Sequence, residues 1–335
     1  MNKLMGIAFL GVLSGIASAC SDTSDGSTAV LDNFDKVDTL TGRPVTFDTI
    51  PGVVGNINIA GDMYLFFLYD SDNLLMSTDT DFNITGYKIR KGEGPGEMSW
   101  LTTYGEELPA GNIFAYEPYA RKYYNIAPDS VGTATLAADL AEPLKEYAPS
   151  KAIRLADGRF VVNKGNGRYG LVCYNPAGKE INEWPIGFEF DAENPNQTIT
   201  SGHIIGYNAA KGIVAEMYCE YPGIVLHDTD GSIKKILTIG ELPAEDMIKD
   251  DARSHFCCAK FTESHMYLLY GDDSEDEFSR VMVVDYDYNP VADLHIAPAQ
   301  SMDIDAGNRR IIAVNPNSDT ENLMVYDLPD YIAEP

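Results

Sequence analysis

Short apolar runs separated by polar turns follow one another along almost the whole chain. The runs are rich in Tyr, Phe, Val and Ile, and clusters of Gly, Asp, Asn or Pro separate each run from the next. Almost no segment places apolar residues at the three-to-four-residue spacing of an amphipathic helix. The pattern therefore predicts an all-β protein.

A turn between two such runs recurs about every fifty residues, which is the spacing of a repeat architecture. It stands at 61–62, 110–111, 157–158, 210–211, 263–264 and 307–308. A second turn follows each of these, at 81–82, 128–129, 176–177, 230–231, 287–288 and 328–329. Six units, each with about four short strands, are typical of a six-bladed β-propeller. Two β-sandwiches in tandem are the alternative, and they do not explain the regular recurrence.

The last unit is too short to contain its own outermost strand. After the strand-like run LMVYDL, only the segment PDYIAEP at 329–335 remains. A strand-like segment, RPVTFDT at 43–49, precedes the first unit and is predicted to supply the missing strand. We therefore predict one propeller domain over residues 37–335, closed by an N-terminal strand that completes the last blade.

Residues 1–19 have the layout of a secretory signal, with Lys3, an apolar stretch and a small-residue end. Cys20 follows directly, which resembles a bacterial lipobox and predicts lipidation at Cys20; an ordinary cleaved signal is the alternative. Residues 20–36 are predicted to be the lipidated cysteine and a flexible tether. The acidic start of this tether, SDTSD at 21–25, resembles the export signal of Bacteroidetes lipoproteins. We therefore expect an outer-membrane lipoprotein of the cell envelope, with exposure at the cell surface favoured.

The charge balance restricts the partners that the protein can bind. The chain has 24 Lys and Arg against 51 Asp and Glu, for a formal net charge of −27. This excess disfavours nucleic acid and anionic lipid surfaces, because both require clustered Lys and Arg. We therefore expect no nucleic-acid partner and membrane contact through the lipid anchor only. We also expect a monomer. Four further cysteines, without zinc-site spacing, are predicted to be core thiols, with a disulfide left open.

The most distinctive local sequence is KGEGPGEM at 91–98. Its Pro-Gly pair suits the centre of a type II turn, and a fainter copy, IGELPAED, stands at 239–246. By position, each turn joins the outer strand of one blade to the inner strand of the next, on the face that commonly carries ligand sites. The predicted ligand-face residues are Glu93, Gly94, Pro95, Gly96, Glu97, Glu241, Pro243 and Glu245. The simpler alternative is that both turns are only tight connections between blades.

The GEGPGE turn after the first blade, the lipobox and the six-unit body together resemble a known family. They are similar to the TolB-like, NHL-related six-bladed propeller lipoproteins of Bacteroidetes. The resemblance implies the propeller fold and an exported location. It implies no catalytic residue for this chain.

Enzymes on this fold often hold a metal, commonly calcium, with oxygen ligands in the central channel. The candidate metal ligands on inner-strand segments are Asn58, Asn208, Asp303 and Asp305. No nucleophile elbow, P-loop or dinucleotide fingerprint is present in the sequence. The favoured function is therefore a non-catalytic binding or scaffold module for a protein, peptide or glycan. The alternative is a calcium-dependent hydrolase or lyase of the lactonase or strictosidine-synthase type.

Overall fold

The computed structural model describes residues 28–47, 52–94, 97–108, 112–117, 122–126, 134–138, 152–163, 170–185, 187–188, 203–218, 222–240, 256–271, 277–318 and 322–332. Over these ranges the chain is built from β-strands and turns. Within them no helix is long and apolar enough to span a membrane. The prediction of an all-β protein is confirmed.

The N-terminal segment forms three short strands before the first full sheet begins. They are β1 (Thr28–Val30), β2 (Val37–Thr39) and β3 (Arg43–Pro44). The first of these lies inside the region predicted as a flexible tether. It is held because the next residue, Leu31, is buried in the core and only 1% exposed. The paired part of the chain therefore extends back to Thr28.

Strands β4 to β16 form three sheets in chain order, and all their pairs except that of β7 with β8 are antiparallel. Sheet I contains β4 (Val53–Ala60), β5 (Met63–Tyr69), β6 (Asn73–Thr78), β7 (Ile84–Lys91) and β8 (Glu97–Met98), the last pairing parallel to β7. Sheet II contains β9 (Thr102–Leu108), β10 (Asn112–Glu117), β11 (Lys122–Ile126) and β12 (Ala134–Ala138). Sheet III contains β13 (Ala152–Arg154), β14 (Phe160–Asn163), β15 (Leu171–Tyr174) and β16 (Glu180–Glu183).

Three more sheets follow, and each has one of the N-terminal strands at its outer edge. Sheet IV contains β17 (His203–Asn208), β18 (Ile213–Tyr218), β19 (Gly223–Asp228) and β20 (Ile233–Thr238), with β1 parallel to β20. Sheet V contains β21 (Phe256–Phe261), β22 (His265–Tyr270), β23 (Ser279–Asp285) and β24 (Pro290–Ile296), with β2 parallel to β24. Sheet VI contains β25 (Ser301–Asp305), β26 (Arg310–Val314) and β27 (Leu323–Asp327), with β3 antiparallel to β27.

The pairing of β3 with β27 joins the start of the chain to the last unit. Arg43 lies opposite Val325, and the Val45 amide donates a hydrogen bond of 2.9 Å to the Leu323 carbonyl oxygen. This is the segment that the sequence predicts to complete the last unit. Sheet VI therefore has four strands although the last unit supplies only three of them.

The first strands of successive sheets lie beside one another. In order, β4 contacts β9, β9 contacts β13, β13 contacts β17, β17 contacts β21 and β21 contacts β25. The first strand of sheet VI, β25, in turn contacts β4 of sheet I. We call these six the inner strands, and the polar residues on them lie close to one another across sheet boundaries.

The core fills the spaces between neighbouring sheets. On β5, Tyr64 and Phe66 pack with Val325 of sheet VI, whereas Leu65 and Phe67 belong to a second cluster on the opposite face of the sheet. Both faces of sheet I are thus covered. A strand buried on both faces has a continuous apolar run rather than an alternating one, which explains the sequence MYLFFLY.

Candidate functional site

The carboxylate of Glu97 points into the loop after β7 and binds its backbone. Its Oε2 accepts a hydrogen bond of 3.0 Å from the Gly94 amide, and the Glu97 amide donates one of 3.0 Å to the Gly94 carbonyl oxygen. The Gly92 amide donates to the Met98 carbonyl oxygen at 2.9 Å. One predicted ligand-face residue, Glu97, therefore organises the loop that carries it.

Two glycines leave the room that this carboxylate needs. A Cβ atom at Gly92 would overlap Glu97 Oε2, and one at Gly94 would lie 2.9 Å from the same oxygen. By contrast, Glu93 between them is exposed to solvent. Arg90 is also largely exposed, with its Nε 3.9 Å from Glu97 Oε1. The loop thus presents Glu93 and Arg90 outward while Glu97 points into it.

An aromatic pair lies at the same end of sheet I. Tyr69 ends β5 and Trp100 follows β8, and their rings stack with centroids 5.6 Å apart and an interplanar angle of 11°. The Tyr69 ring lies directly against Gly55, where a Cβ atom would overlap it. Tyr69 remains 36% exposed, and partial burial raises the pKa of its hydroxyl. The end of sheet I therefore carries a partly exposed aromatic surface beside the loop.

The remaining predicted loop and anchor residues fall outside the described part of the chain. They are Cys20, Pro95, Gly96, Glu241, Pro243 and Glu245. The second loop is described only up to Gly240, whose amide donates a hydrogen bond of 2.5 Å to Asp32 Oδ1. The expectation that both loops lie on the face that carries ligand sites stays a prediction.

The inner strands of three sheets meet at a buried lysine. Lys260 Nζ on β21 donates to Asp303 Oδ2 on β25 at 2.9 Å and to Asn58 Oδ1 on β4 at 3.2 Å. Asp303 Oδ2 also accepts the Ile59 amide at 2.8 Å. We call Lys260, Asp303 and Asn58 the Lys260 cluster, and each of these residues is at most 9% exposed. The cluster links the fifth, sixth and first sheets through one ammonium group.

This arrangement bears on the predicted calcium site. Calcium takes six to eight oxygen ligands, and here Asn58 and Asp303 each direct an oxygen at the Lys260 ammonium. As placed, these residues fit an ammonium group and do not fit calcium. In the ranges that the structure describes, no group of three or more His, Cys, Asp or Glu side chains could hold a metal ion. Calcium binding therefore stays a prediction, and the described residues provide no site for it.

The other two predicted ligands lie apart from the Lys260 cluster. Asn208 Nδ2 donates to the Tyr286 hydroxyl at 2.5 Å, which ties sheet IV to sheet V. Asp305 accepts hydrogen bonds from the Tyr64 hydroxyl of sheet I and, at 3.1 Å, from Arg310 Nη2. The structure brings Asn58 and Asp303 together and places Asn208 and Asp305 in separate contacts between sheets.

The Asp305 contacts shift the pKa values of both partners. Burial alone would raise the pKa of the Asp305 carboxyl, but hydrogen bonds from Tyr64 and Asn308 outweigh it, so that this pKa is lowered. Burial and the neighbouring carboxylate raise the pKa of the Tyr64 hydroxyl well above its ordinary value. Asp305 is thus held ionised, and Tyr64 is held neutral as the donor.

Neither Lys260 nor the Tyr69–Trp100 pair is among the site residues predicted from the sequence. A single lysine inside the apolar strand FCCAKF was the available signal for Lys260, because a buried charge needs a partner. The aromatic pair left no such signal. Tyr69 and Trp100 belong to different parts of sheet I, and only strand pairing brings them together.

Neither the known family models nor the curated proteins contain a match to this sequence. The β-propeller domain of a Myceliophteria thermophila protein is similar in structure, with a TM-score of 0.50 and 8% identity over 86% of this chain and 100% of that domain. The chain is a β-propeller.

Two other solved structures are similar to this propeller. A Bacteroides fragilis protein described as exported has a TM-score of 0.58 and 13% identity, over 89% of this chain and 99% of that chain. Regucalcin, a calcium-binding protein from Agrobacterium tumefaciens, has a TM-score of 0.51 and 10% identity, over 87% of this chain and 94% of that chain. At these identities the likeness extends to the fold of the propeller and not to its chemistry.

Proposed function

We propose that the protein is an exported, lipid-anchored binding module of the cell envelope, and that it binds a glycan, peptide or protein at the loop end of sheet I. The observation that carries this proposal is the Tyr69–Trp100 stack beside the exposed Glu93 and Arg90. The Lys260 cluster, by comparison, directs its polar atoms at one another. The loop end combines a partly exposed aromatic surface with outward-facing charges.

We infer that the six sheets are the six blades of one propeller, closed by β3 at the edge of sheet VI. The contact between β25 and β4 supports closure, as does the pairing of Arg43 with Val325. Such closure leaves only short edges open to solvent. A rigid ring of this kind holds the loop end in one geometry before a ligand arrives, which lowers the ordering cost of binding.

The location rests on the N-terminal sequence and on one structural likeness. The signal-like residues 1–19 and Cys20 support export followed by lipidation. The similar Bacteroides fragilis protein is described as exported. We propose an outer-membrane lipoprotein that contacts the membrane only through its acyl chains and exposes the propeller at the cell surface.

A neutral glycan fits the loop end best among the three ligand classes. Aromatic ring faces pack against the apolar faces of sugar rings, and a carboxylate such as that of Glu93 accepts hydrogen bonds from hydroxyl groups. The net charge of −27 disfavours an acidic glycan. An apolar or basic peptide is the competing ligand at the same surface.

Binding to a glycan array and to a peptide library tests the proposal, with affinities then measured by calorimetry. We expect Trp100→Ala to weaken glycan binding at least about tenfold, which corresponds to about 1.4 kcal/mol. Phe278→Ala is the control, because Phe278 is an exposed aromatic residue of 39% exposure at sheet V. Peptide binding that depends on Trp100 would support the loop end of sheet I as the binding site and would replace the glycan with a peptide as its ligand. If Trp100→Ala leaves binding unaffected, the binding site is not at the loop end.

The alternative function is a calcium-dependent hydrolase or lyase. Its support is the fold likeness to the calcium-binding protein regucalcin. Elemental analysis of the purified protein tests it. About one tightly held calcium per chain would favour this alternative and would require ligands other than the ammonium-bound oxygens of Asn58 and Asp303.

A further inference from the structure

Two adjacent cysteines, Cys257 and Cys258, lie at an irregularity near the start of β21. In a regular strand, neighbouring side chains point to opposite faces of the sheet. Here Phe256 pairs with Tyr270 and Cys258 pairs with Leu269, so that Cys257 is one extra residue between two successive partners. Such a bulge breaks the alternation of the strand.

The bulge places both cysteines on the same side of the sheet. Both side chains are half-buried, and both pack against the hydrophobic cluster between sheets V and VI. Cys258 Sγ lies 3.9 Å from the Met302 carbonyl oxygen of sheet VI. Both residues are present as thiols. Both cysteine side chains therefore project from one face of an inner strand.

We propose that Cys257 and Cys258 form a two-sulfur site for a soft, thiophilic ligand that binds through a bent geometry, of which trivalent arsenic is the representative. Thiolates are the soft ligands among protein side chains. A pyramidal trivalent centre holds its two sulfur ligands at roughly a right angle, which suits neighbouring sulfurs on one face. A linear two-coordinate ion would need its sulfurs on opposite sides.

The same geometry disfavours loss of the thiols to a disulfide. Adjacent Cα atoms are about 3.8 Å apart across a trans peptide, whereas disulfides usually join Cα atoms about 4.4–6.8 Å apart. A disulfide between these two residues would be strained and easily reduced. The pair therefore stays available as a dithiol under mild conditions.

Phenylarsine oxide is the probe that matches this site. The two thiol sulfurs each form a bond to arsenic, and the arsenic–oxygen bond breaks. The two thiol protons leave with that oxygen as one water molecule. Arsenic remains trivalent throughout, so that the reaction needs no oxidant or reductant.

The test uses the purified full chain and counts bound arsenic by intact mass after removal of excess probe. We expect one bridging phenylarsenic group per chain, released by 1,2-ethanedithiol. Cys257→Ser and Cys258→Ser should each lower the affinity at least about tenfold. Cys173→Ser is one control and should bind arsenic as the wild type does, since Cys173 is buried on β15 of sheet III. Cys219→Ser is the second control, and the proposal expects it to bind arsenic as the wild type does.

Three outcomes would overturn the proposal. One is bridging that survives in both Cys257→Ser and Cys258→Ser, and another is bridging that is lost in Cys219→Ser. A third is a wild-type chain that binds arsenic only after reduction and whose mass before reduction is lower by two hydrogen atoms. That result would mean that the two cysteines are joined in a disulfide in the purified protein. If the serine variants do not fold, proteolytic mapping of the arsenic adduct on the wild-type chain decides whether the segment containing residues 257 and 258 carries it.

Discussion

Lys260 and Asp303 form a buried ion pair between inner strands of neighbouring sheets, with Nζ 2.9 Å from Oδ2. Both side chains are nearly buried, with 11% and 13% of their surface exposed. Asn58 shares the ammonium group from a third sheet. Removing one partner of a buried pair costs more than the pair itself contributes, because the other charge is left without compensation.

Lys260→Met should therefore destabilise the protein by about 3–5 kcal/mol, since it leaves the Asp303 carboxylate buried without its cation. Urea unfolding measures the change. The matched control is Lys234→Met, because Lys234 makes an ion pair of the same 2.9 Å length with Asp228, with 36% and 44% of the two side chains exposed. The control should lose at most about 1 kcal/mol. Equal losses would mean that the Lys260 cluster does not link the sheets.

Asp305 should give the protein a pH-dependent stability in the acid range. Its pKa is lowered in the folded state despite burial, by hydrogen bonds from Tyr64 and Asn308 and by the charge of Arg310. A lowered carboxyl pKa contributes stability above the unfolded-state pKa, and this contribution is lost as the pH falls through the folded-state pKa.

Asp305→Asn should accordingly be less stable than the wild type at neutral pH, and the difference should shrink as the pH falls below the ordinary Asp pKa of about 4. Urea unfolding at a series of pH values gives this difference. The comparison variant is Asp79→Asn, because Asp79 also has a lowered pKa, from hydrogen bonds with Asn83, yet is only half-buried, whereas Asp305 is buried. A stability difference for Asp305→Asn that does not change with pH would contradict the assignment.

Gly92→Ala should disrupt the loop, because its Cβ would overlap the Glu97 carboxylate. We expect a loss of about 1–3 kcal/mol in the free energy of unfolding. Adding Glu97→Ala should recover part of that loss, since it removes the group with which the methyl collides. Gly86→Ala is the control on β7, the strand that precedes the loop, where the nearest atom would be Ser77 Oγ at 3.8 Å. Strictly additive losses for Gly92→Ala and Glu97→Ala would show that the two residues do not compete for one space.

Leu31→Ala tests whether the N-terminal segment belongs to the folded domain. Leu31 is 1% exposed and packs with residues of sheets IV and V. Truncation of such a side chain costs about 2–5 kcal/mol, and urea unfolding reports it. Val30→Ala is the neighbouring control, since Val30 is 46% exposed. A loss no larger than that of the control would mean that residues 28–36 behave as a tether.

The loop at 91–98 shows how far local sequence determines structure. Its Gly and Pro residues predicted a tight connection after an outer strand, because turn preferences depend on the backbone of a few neighbouring residues. The pattern also favoured Glu97 as a ligand-face residue without giving its direction, and the structure shows its side chain pointing into the loop. The direction of a side chain depends on the space and the donors around it, which the turn pattern does not contain.

The sequence by itself determined the all-β class, the recurring turns and the apolar runs, because strand and turn preferences act over a few residues. Only the tertiary structure decided that Lys260 and Asn58, 202 positions apart, share a hydrogen bond. It likewise decided that Tyr69 stacks on Trp100 and that residues from Thr28 onward pair with outer strands. Such contacts depend on which strands become neighbours, and that follows from how the sheets pack as a whole rather than from any short stretch of the chain.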